Sequence, residues 1–155
     1  MSSPHAGREH VEYSGFLFPE EWAVFRIVLF AMLASGSALA QQCGDLVAAK
    51  FRPLAGKETV DLCKAYAGKV LLVVNTASYC GFTGQYKSLE ALDATYRSRG
   101  LVVLGFPSND FGQQEPGSAA DIAAFCENTF GVKFPLFAKS HVAPGPGRNV
   151  NPLFA

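Results

Sequence analysis

A short apolar segment followed by a cysteine places the strongest constraint on how this chain can fold. Residues 70–74 form an unbroken apolar run rich in β-branched side chains, which is typical of a strand buried on both faces at the centre of an α/β sheet. Residues 75–81 are mostly small or polar, and an amphipathic pattern begins at Thr83. Cys80 is therefore predicted to lie in the loop between a central strand and the start of a helix.

This position gives the Cys80 thiol two interpretations. The free N–H groups and the dipole at a helix N-terminus favour an anion, so a thiol there ionises more readily than a free one. Cys80 would then be a reactive thiolate. The alternative is a small apolar side chain in the core, which is the role of most free cysteines. Position alone leaves both interpretations open.

The residues after Cys80 predict a βαβ unit. A helix is expected over residues 83–99, with Thr83 as its cap and Gly100 as its left-handed C-terminal residue. Its core-facing side chains are three and four residues apart: Tyr86, Leu89, Leu92 and Tyr96. Residues 101–106 are a second apolar strand. Because a helix joins the two strands, we expect them to pair in parallel.

The loop over residues 107–117 should face the Cys80 loop, because sites in open α/β sheets form at the carboxyl ends of the strands. Its Asp110 and Glu115 are a candidate acid/base pair, although loop carboxylates are usually just solvated. Asn75 and Asn109 are expected to hold their loops through bonds from side chain to backbone.

Further elements are predicted on either side of this unit. Ser118 and Asp121 resemble a capping box for a helix whose apolar stripe includes Cys126. Residues 134–137 predict a further short strand. Residues 46–51 and 59–62 are expected to pair as a hairpin around a turn at 55–57.

Residues 1–40 are predicted to be an N-terminal extension and signal peptide, and residues 41–155 a single domain. An apolar segment over residues 27–40 follows Arg26 and ends in Ala-Leu-Ala, which predicts secretion with cleavage before Gln41. An uncleaved anchor helix is the alternative, although the segment is short for a membrane span. The sequence therefore predicts a periplasmic or secreted protein.

Composition and charge limit the classes of binding partner that we expect. The chain has 155 residues, 49% of them hydrophobic, and a formal net charge of zero, so we expect a globular protein that binds neither nucleic acid nor membranes strongly. Cys43 and Cys63 flank the predicted hairpin, and in an exported protein they are either bridged or independent thiols. The cysteine spacing is not that of a zinc site.

Three blocks of this sequence resemble the glutathione peroxidase family. N-T-A-S-Y-C-G-F-T at residues 75–83 is similar to the family's peroxidatic motif, and L-G-F-P-S-N-D-F-G-Q-Q-E-P-G at 104–117 is similar to its second signature. F-C-E-N-T-F-G-V-K-F-P-L-F at 125–137 resembles a third block, found in the thioredoxin-dependent members. The resemblance covers roughly residues 46–155 and implies a thioredoxin-like fold.

The resemblance also implies an activity and roles for three residues. The family reduces hydrogen peroxide and organic or lipid hydroperoxides, with a thioredoxin-like protein or glutathione as reductant and without a cofactor or metal. Cys80 occupies the peroxidatic position, and Gln114 matches the glutamine that bonds the sulfur. Cys126 aligns with the resolving cysteine. The alternatives from the sequence pattern alone are an ordinary polar loop residue for Gln114 and a buried packing residue for Cys126.

The chain departs from the family pattern in ways that leave two other functions open. The family's Trp-Asn pair, last strands and last helix lie further toward the C-terminus than Ala155, which predicts a C-terminally truncated member. An inactive fragment is therefore one alternative. The other is a thioredoxin-like disulfide oxidoreductase, although Thr83 stands where the second cysteine of a C-x-x-C motif would be.

Overall fold

A computed structural model of the chain describes residue 44 and residues 48–155. These residues belong to one compact unit, Gln41–Ala155. A second unit, Met1–Ala40, lies outside the described residues, and so do the predicted signal peptide and its cleavage site. In the part of the chain that is described, no helix has the length and apolar character needed to cross a membrane.

Strands and helices alternate along the described chain. Two short strands, β1 (Lys50–Phe51) and β2 (Val60–Asp61), precede a one-turn helix, α1 (Leu62–Ala65). The strand β3 (Val70–Thr76), the helix α2 (Tyr86–Tyr96) and the strand β4 (Leu101–Pro107) follow, and the helix α3 (Ala119–Phe130) comes last. Two turns of 3-10 helix, Thr83–Gln85 and Arg97–Arg99, lie directly before and after α2.

β3 and β4 pair in parallel along their full length, as the predicted βαβ unit requires. The prediction that β3 is the central strand, buried on both faces, is wrong. Residues 71–74 are half-buried, and Val70 is 67% exposed. β4 is the buried strand, because it pairs with β3 on one edge and its Gly105 bridges to Leu136 on the other.

Gly105 occurs within β4 because the neighbouring segment approaches closely. A Cβ atom at this position would lie 2.5 Å from Cδ2 of Leu136. The Gly105 N–H donates to the Pro135 carbonyl and its own carbonyl accepts from the Phe137 N–H, both at 2.9 Å. Residues 134–137 therefore join β4 through one isolated bridge, from Leu136 to Gly105, and do not form the regular strand that the sequence predicts.

Alternate side chains of β4 enter two apolar clusters, because successive residues of a strand point to opposite faces. The cluster on the side of the long helices includes Val103, Tyr86, Ile122, Cys126 and Phe134. The cluster on the other side includes Val102, Leu104, Phe106, Leu62 and Phe137. The core on both faces of β4 holds this strand in position. The carboxyl end of β4 leads into the predicted site loop at residues 107–117.

The predicted hairpin is present in a shorter form. β1 pairs antiparallel with β2, with Lys50 opposite Asp61. Ala48 and Ala49 are outside the strand, and residues 46–47 lie outside the described chain. Leu62 begins α1 instead of ending a strand, because the Asp61 side chain accepts a hydrogen bond from the Lys64 N–H at 3.1 Å and caps the helix.

The helix predicted over residues 83–99 has α2 as its regular centre. Gly100 takes the expected left-handed conformation, with φ 96°. Tyr86 is buried as predicted, but Tyr96 is exposed. The buried side chain of this last turn is Asp93, which forms an ion pair with Arg97 and accepts a hydrogen bond from the backbone of β4. Apolar periodicity cannot predict such a buried acid, because the backbone N–H that it binds, that of Val103, is on another element.

The capping box and the apolar stripe of α3 are confirmed. The Ser118 hydroxyl accepts from the Asp121 N–H, and the Asp121 carboxylate accepts from the Ser118 N–H. Ile122 and Cys126 are fully buried beneath this helix. Gly131 ends it in the left-handed conformation.

Candidate active site

A cavity of about 320 Å³ lies at the carboxyl ends of β3 and β4. The loops after the two strands meet there, because the Ser108 N–H donates to the Thr76 carbonyl and the Tyr79 N–H to the Gln114 carbonyl, both at 3.0 Å. The prediction that these loops face each other is confirmed. The lining contains no acidic or basic side chain among the described residues: Val74, Asn75, Thr76, Ala77, Cys80, Phe82, Thr83, Gln85, Tyr86, Leu89, Ser108, Phe111 and Gln114.

Thr83 holds the loop that carries Cys80. Its hydroxyl oxygen accepts a hydrogen bond from the Cys80 N–H at 2.9 Å. The same hydroxyl lies 2.9 Å from the Ala77 carbonyl and 2.7 Å from the Cys80 carbonyl, to which it donates. Thr83 was predicted to be the N-cap of the helix, but it lies inside the first 3-10 turn and bonds backward to the loop.

Cys80 is half-buried and lines the cavity, just before the helical turns. The Phe82 N–H donates toward Sγ at 3.5 Å. The backbone at the start of a helical segment therefore faces the sulfur, as the sequence predicted. Because the cavity lining has no charged side chain, neutral N–H, amide and hydroxyl groups are the donors available to a negative charge here.

Gln114 lines the same cavity as Cys80. The two preceding residues, Gly112 and Gln113, both have positive φ, at 60° and 54°. This conformation is unusual for a glutamine. It reverses the chain, so that the Gln114 N–H donates back to the Phe111 carbonyl at 3.3 Å. The structure therefore brings together two of the three predicted site residues.

The loop carrying Gln114 is held from both sides. The Asn109 side chain accepts a hydrogen bond from the Glu115 N–H at 2.8 Å, as predicted. The Lys139 ammonium donates to the carbonyls of Glu115 and Gly117, each at 2.9 Å. Asn75, the other predicted loop anchor, lines the cavity.

Three exposed aromatic side chains lie on these two loops. Tyr79 is 70% exposed, Phe82 73% and Phe111 52%. Phe82 and Phe111 also line the cavity. Large exposed apolar groups concentrated at a cavity commonly mark a surface that binds an apolar ligand or a partner.

Cys126, the third predicted site residue, is not at this cavity. It is 1% exposed in the penultimate turn of α3 and lines a different cavity of about 340 Å³ with apolar neighbours such as Leu54, Val132 and Phe134. Burial raises the pKa of its thiol, and the nearby Glu115 carboxylate raises it further. In this conformation Cys126 is therefore a packed and protonated side chain at neutral pH.

The sequence predicts neither the polar contacts of the Tyr86 hydroxyl nor the burial of the Glu115 side chain. Tyr86 was expected only to pack, but its hydroxyl faces Thr76 and Cys126. Glu115 was considered a solvated carboxylate or half of an acid/base pair with Asp110, yet its side chain is completely buried. Burial raises the pKa of Glu115, and the neighbouring Ser78 opposes that increase. The residue order gives no sign of this burial, because the covering residues come from other elements.

Asp110 does not pair with Glu115 and is not solvated. Its carboxylate binds Nδ1 of His141 at 2.7 Å and accepts from the N–H groups of Val142 and Ala143. These bonds, with that from His141 the largest contribution, lower the pKa of Asp110. Its contacts identify it as a link between the site loop and the C-terminal segment.

Of the other two cysteines the structure describes Cys63, which does not line the cavity. Cys63, in α1, is disulfide-bonded. Cys43, which the sequence left either bridged to Cys63 or an independent thiol, lies outside the described residues. In the described stretch, His, Cys, Asp and Glu side chains do not come together in groups of three or more that could hold a metal ion.

Comparison with known proteins gives a family match over most of the chain. The model of the family described as glutathione peroxidase matches residues 46–155. The chain is 59% identical over 87 residues to the glutathione peroxidase-like peroxiredoxin gpx1 of Schizosaccharomyces pombe, an alignment that covers 56% of this chain and 53% of that relative. It is 57% identical over 89 residues to the hydroperoxy fatty acid reductase gpx1 of Synechocystis, covering 57% of this chain and 51% of the relative.

A solved structure supports the same assignment. The crystal structure of T. cruzi GPX1 is 29% identical, with a TM-score of 0.50 over 72% of this chain and 63% of that one. The α/β architecture is thus the thioredoxin-like fold that the sequence predicted. The chain spans about half the length of the curated relatives it matches. Because the family model covers residues 46–155, the chain belongs to the glutathione peroxidase family.

Proposed function

We propose that this protein is a thiol peroxidase that reduces hydroperoxides through Cys80. The observation that carries the proposal is the placement of the Cys80 sulfur at a cavity without charged side chains, facing the Phe82 N–H and sharing the lining with Gln114. Membership of the glutathione peroxidase family supports it. The roles of Cys80, Gln114 and Cys126 are parts of this proposal.

The first step is oxidation of the Cys80 thiolate. Its sulfur attacks one oxygen of the hydroperoxide, the O–O bond breaks, and the second oxygen leaves as water or an alcohol after taking up a proton. The sulfur becomes a sulfenic acid. The Phe82 N–H and the Gln114 amide are the donors that would stabilise negative charge on the sulfur and on the leaving oxygen.

The second step forms a disulfide between Cys80 and Cys126. The two residues line different cavities, so the Cys126 end of α3 must open locally before the sulfur atoms can meet. A thioredoxin-like protein, or glutathione, would then reduce the product by thiol–disulfide exchange. Because Cys126 is buried, its thiol is shielded from solvent until Cys80 has been oxidised.

The substrates we propose include organic hydroperoxides as well as hydrogen peroxide. The exposed rings of Phe82 and Phe111 at the cavity would bind an apolar chain. A relative named as a hydroperoxy fatty acid reductase supports the same class. A disulfide oxidoreductase is less well supported, since the residue three positions after Cys80 is Thr83, whose hydroxyl bonds the loop backbone.

We further propose that the protein is exported, with residues 1–40 as its signal peptide. The disulfide-bonded state of Cys63 supports an oxidising compartment, where such bonds persist. Sequencing the N-terminus of the secreted or periplasmic protein would test this. A mature chain that begins at Gln41 is the expected result, and retention of residues 1–40 would contradict it.

The test of the peroxidase proposal is hydroperoxide consumption by the full-length protein and matched variants. We expect Cys80→Ser to abolish consumption, and Gln114→Ala to slow it by about a hundredfold because one charge-stabilising donor is lost. Cys126→Ser is the matched control and should still consume one equivalent. Consumption by Cys80→Ser would refute the mechanism, and no consumption by the unmodified protein would favour the inactive fragment.

A further inference from the structure

A cluster of buried polar side chains extends from the Cys80 cavity to Cys126, and the oxidation of Cys80 does not require it. Glu115 is fully buried, and Thr76, Ser78 and Tyr86 are each no more than 8% exposed. The Thr76, Ser78 and Tyr86 hydroxyls and both Glu115 carboxyl oxygens have no hydrogen-bond partner in the described part of the chain. A buried polar group without a partner destabilises the fold. Their concentration in one place therefore calls for a functional reason.

Tyr86 connects the two cysteine environments. Its ring lines the Cys80 cavity, and its hydroxyl faces both Thr76, which also lines that cavity, and the thiol of Cys126. None of these contacts has the geometry of a completed hydrogen bond. A hydroxyl group both donates and accepts, so Tyr86 can receive a proton from one neighbour while giving its own to another.

Glu115 supplies an acid–base group to the same cluster. Its carboxyl faces Ser78, and its charge acts on Tyr86, on Cys126 and on Lys139. Burial raises the pKa of Glu115 above its ordinary value of 4.5. A buried carboxylate whose pKa moves toward neutrality becomes a better proton acceptor at physiological pH.

Electrostatics couples Glu115 to Cys126. Burial raises the pKa of the Cys126 thiol, and a negative Glu115 raises it further. Two negative charges close together in apolar surroundings disfavour each other. Cys126 therefore ionises most readily when Glu115 takes up the proton, because the pair then keeps a single negative charge.

We propose that Glu115, acting through the Tyr86 hydroxyl, accepts the thiol proton of Cys126 when this residue resolves the sulfenic acid on Cys80. The proposal rests on the proposed peroxidase function. Cys126 gives its proton to Tyr86, and Tyr86 gives its own to Glu115. A thiolate is unfavourable in the apolar cluster, so ionisation also favours the local opening that brings Cys126 to Cys80.

The atoms and electrons of this step balance. The Cys126 sulfur attacks the Cys80 sulfur, an S–S bond forms, and the S–O bond of the sulfenic acid breaks. Hydroxide leaves and takes up the proton stored on Glu115, by way of Tyr86 and the cavity that it lines, to become water. The Cys126 sulfur is oxidised and the Cys80 sulfur is reduced, so the sulfenic acid is the only oxidant required.

The experiment separates the two chemical steps in the full-length protein. Reduced protein is mixed rapidly with one equivalent of hydrogen peroxide, and peroxide loss and the Cys80–Cys126 disulfide are followed by quenching and mass spectrometry across a series of pH values. For Glu115→Gln we expect peroxide loss at the unmodified rate, disulfide formation slowed by about tenfold or more, and loss of the lower ionisation from the pH profile of the disulfide step. Glu115→Asp, which keeps a carboxyl group, should recover part of the rate.

A matched control and a second variant keep the result decisive. Glu127→Gln removes an exposed carboxylate directly next to Cys126 in α3 and should change neither step. Unchanged disulfide formation and an unchanged pH profile in Glu115→Gln would overturn the proposal. Should that variant not fold, Tyr86→Phe decides the question, because an unaltered disulfide rate without the hydroxyl would also overturn it. Peroxide loss in Cys80→Ser would instead disprove the peroxidase function itself.

Discussion

Single side chains at this site mainly hold backbone in place. The Thr83 hydroxyl bonds three groups of the Cys80 loop, and the Lys139 ammonium bonds two carbonyls of the Gln114 loop. Neither residue places a charge or a thiol in the cavity, because Thr83 is neutral and Lys139 does not line the cavity. Their contribution to the chemistry is the geometry of Cys80 and Gln114.

Thr83 gives the residue-scale prediction. Thr83→Val keeps the shape of the side chain but leaves the Cys80 N–H without its acceptor, so we expect it to lower the free energy of unfolding by about 1–2 kcal/mol. A loosened Cys80 loop should also slow peroxide consumption by about tenfold or more. Thr83→Ser, which keeps the hydroxyl, is the control and should stay close to the unmodified protein in denaturant titration and in kinetics. A fully active Thr83→Val variant would contradict this role.

At the scale of elements, the end of α3 determines how easily Cys126 is released. The Cys126 carbonyl accepts from the Val132 N–H at 3.2 Å, and the Glu127 carbonyl accepts from the Gly131 N–H at 2.9 Å. Gly131 adopts φ 66° to allow both bonds. The cap of this helix therefore includes the residue that must move for the disulfide to form.

Gly131→Ala should loosen that cap. A Cβ atom there would meet no atom within 4 Å, so the cost of about 1–2 kcal/mol is purely that of the left-handed backbone. We expect lower stability, faster hydrogen exchange in the last turn of α3, and faster Cys80–Cys126 disulfide formation. Gly147→Ala is the matched control, since Gly147 also has positive φ, at 70°, and open surroundings. Gly147→Ala should lower stability without changing the rate of disulfide formation. If both variants changed that rate equally, the result would count against helix opening.

At the scale of the whole described unit, Asp110 joins the loop after β4 to the C-terminal segment. Its buried carboxylate binds His141 and Arg148 and accepts from two backbone N–H groups. The segment from Phe134 to Phe137 lies against β4, and the chain after it returns to the site loop through these bonds. The position of the site loop thus depends on residues that are distant in sequence.

The lowered pKa of Asp110 predicts how stability depends on pH. A carboxyl whose pKa is lower in the folded state stabilises the fold above its ordinary pKa of 3.8, and this contribution is lost as the pH falls below that value. Asp110→Asn should therefore be less stable than the unmodified protein at neutral pH, and the difference should narrow in acid. Denaturant titrations at neutral pH and at a pH below the ordinary pKa measure the free energy of unfolding of both proteins. A difference that did not change with pH would show that the charge of Asp110 is not what stabilises the link.

The sequence by itself determined the order of the elements and the loops that form the cavity. The apolar run at residues 70–74, the helical pattern after Thr83 and the capping box at Ser118 are local signals, because they depend on neighbours within a few residues. The three family blocks identified Cys80, Gln114 and Cys126 as candidates. They also predicted the family and the thioredoxin-like fold, both of which the comparisons confirm.

Only the tertiary structure decided what is buried and which groups meet. β4 rather than β3 is the central strand because Leu136, far along the chain, bridges to it. Glu115 is buried, and Cys126 lies away from the Cys80 cavity. Hydrophobic periodicity specifies which face of an element turns inward, but the residues that cover that face come from distant parts of the chain. Burial of a polar group depends on those distant partners, so its pKa and its chemical role become visible only in the folded molecule.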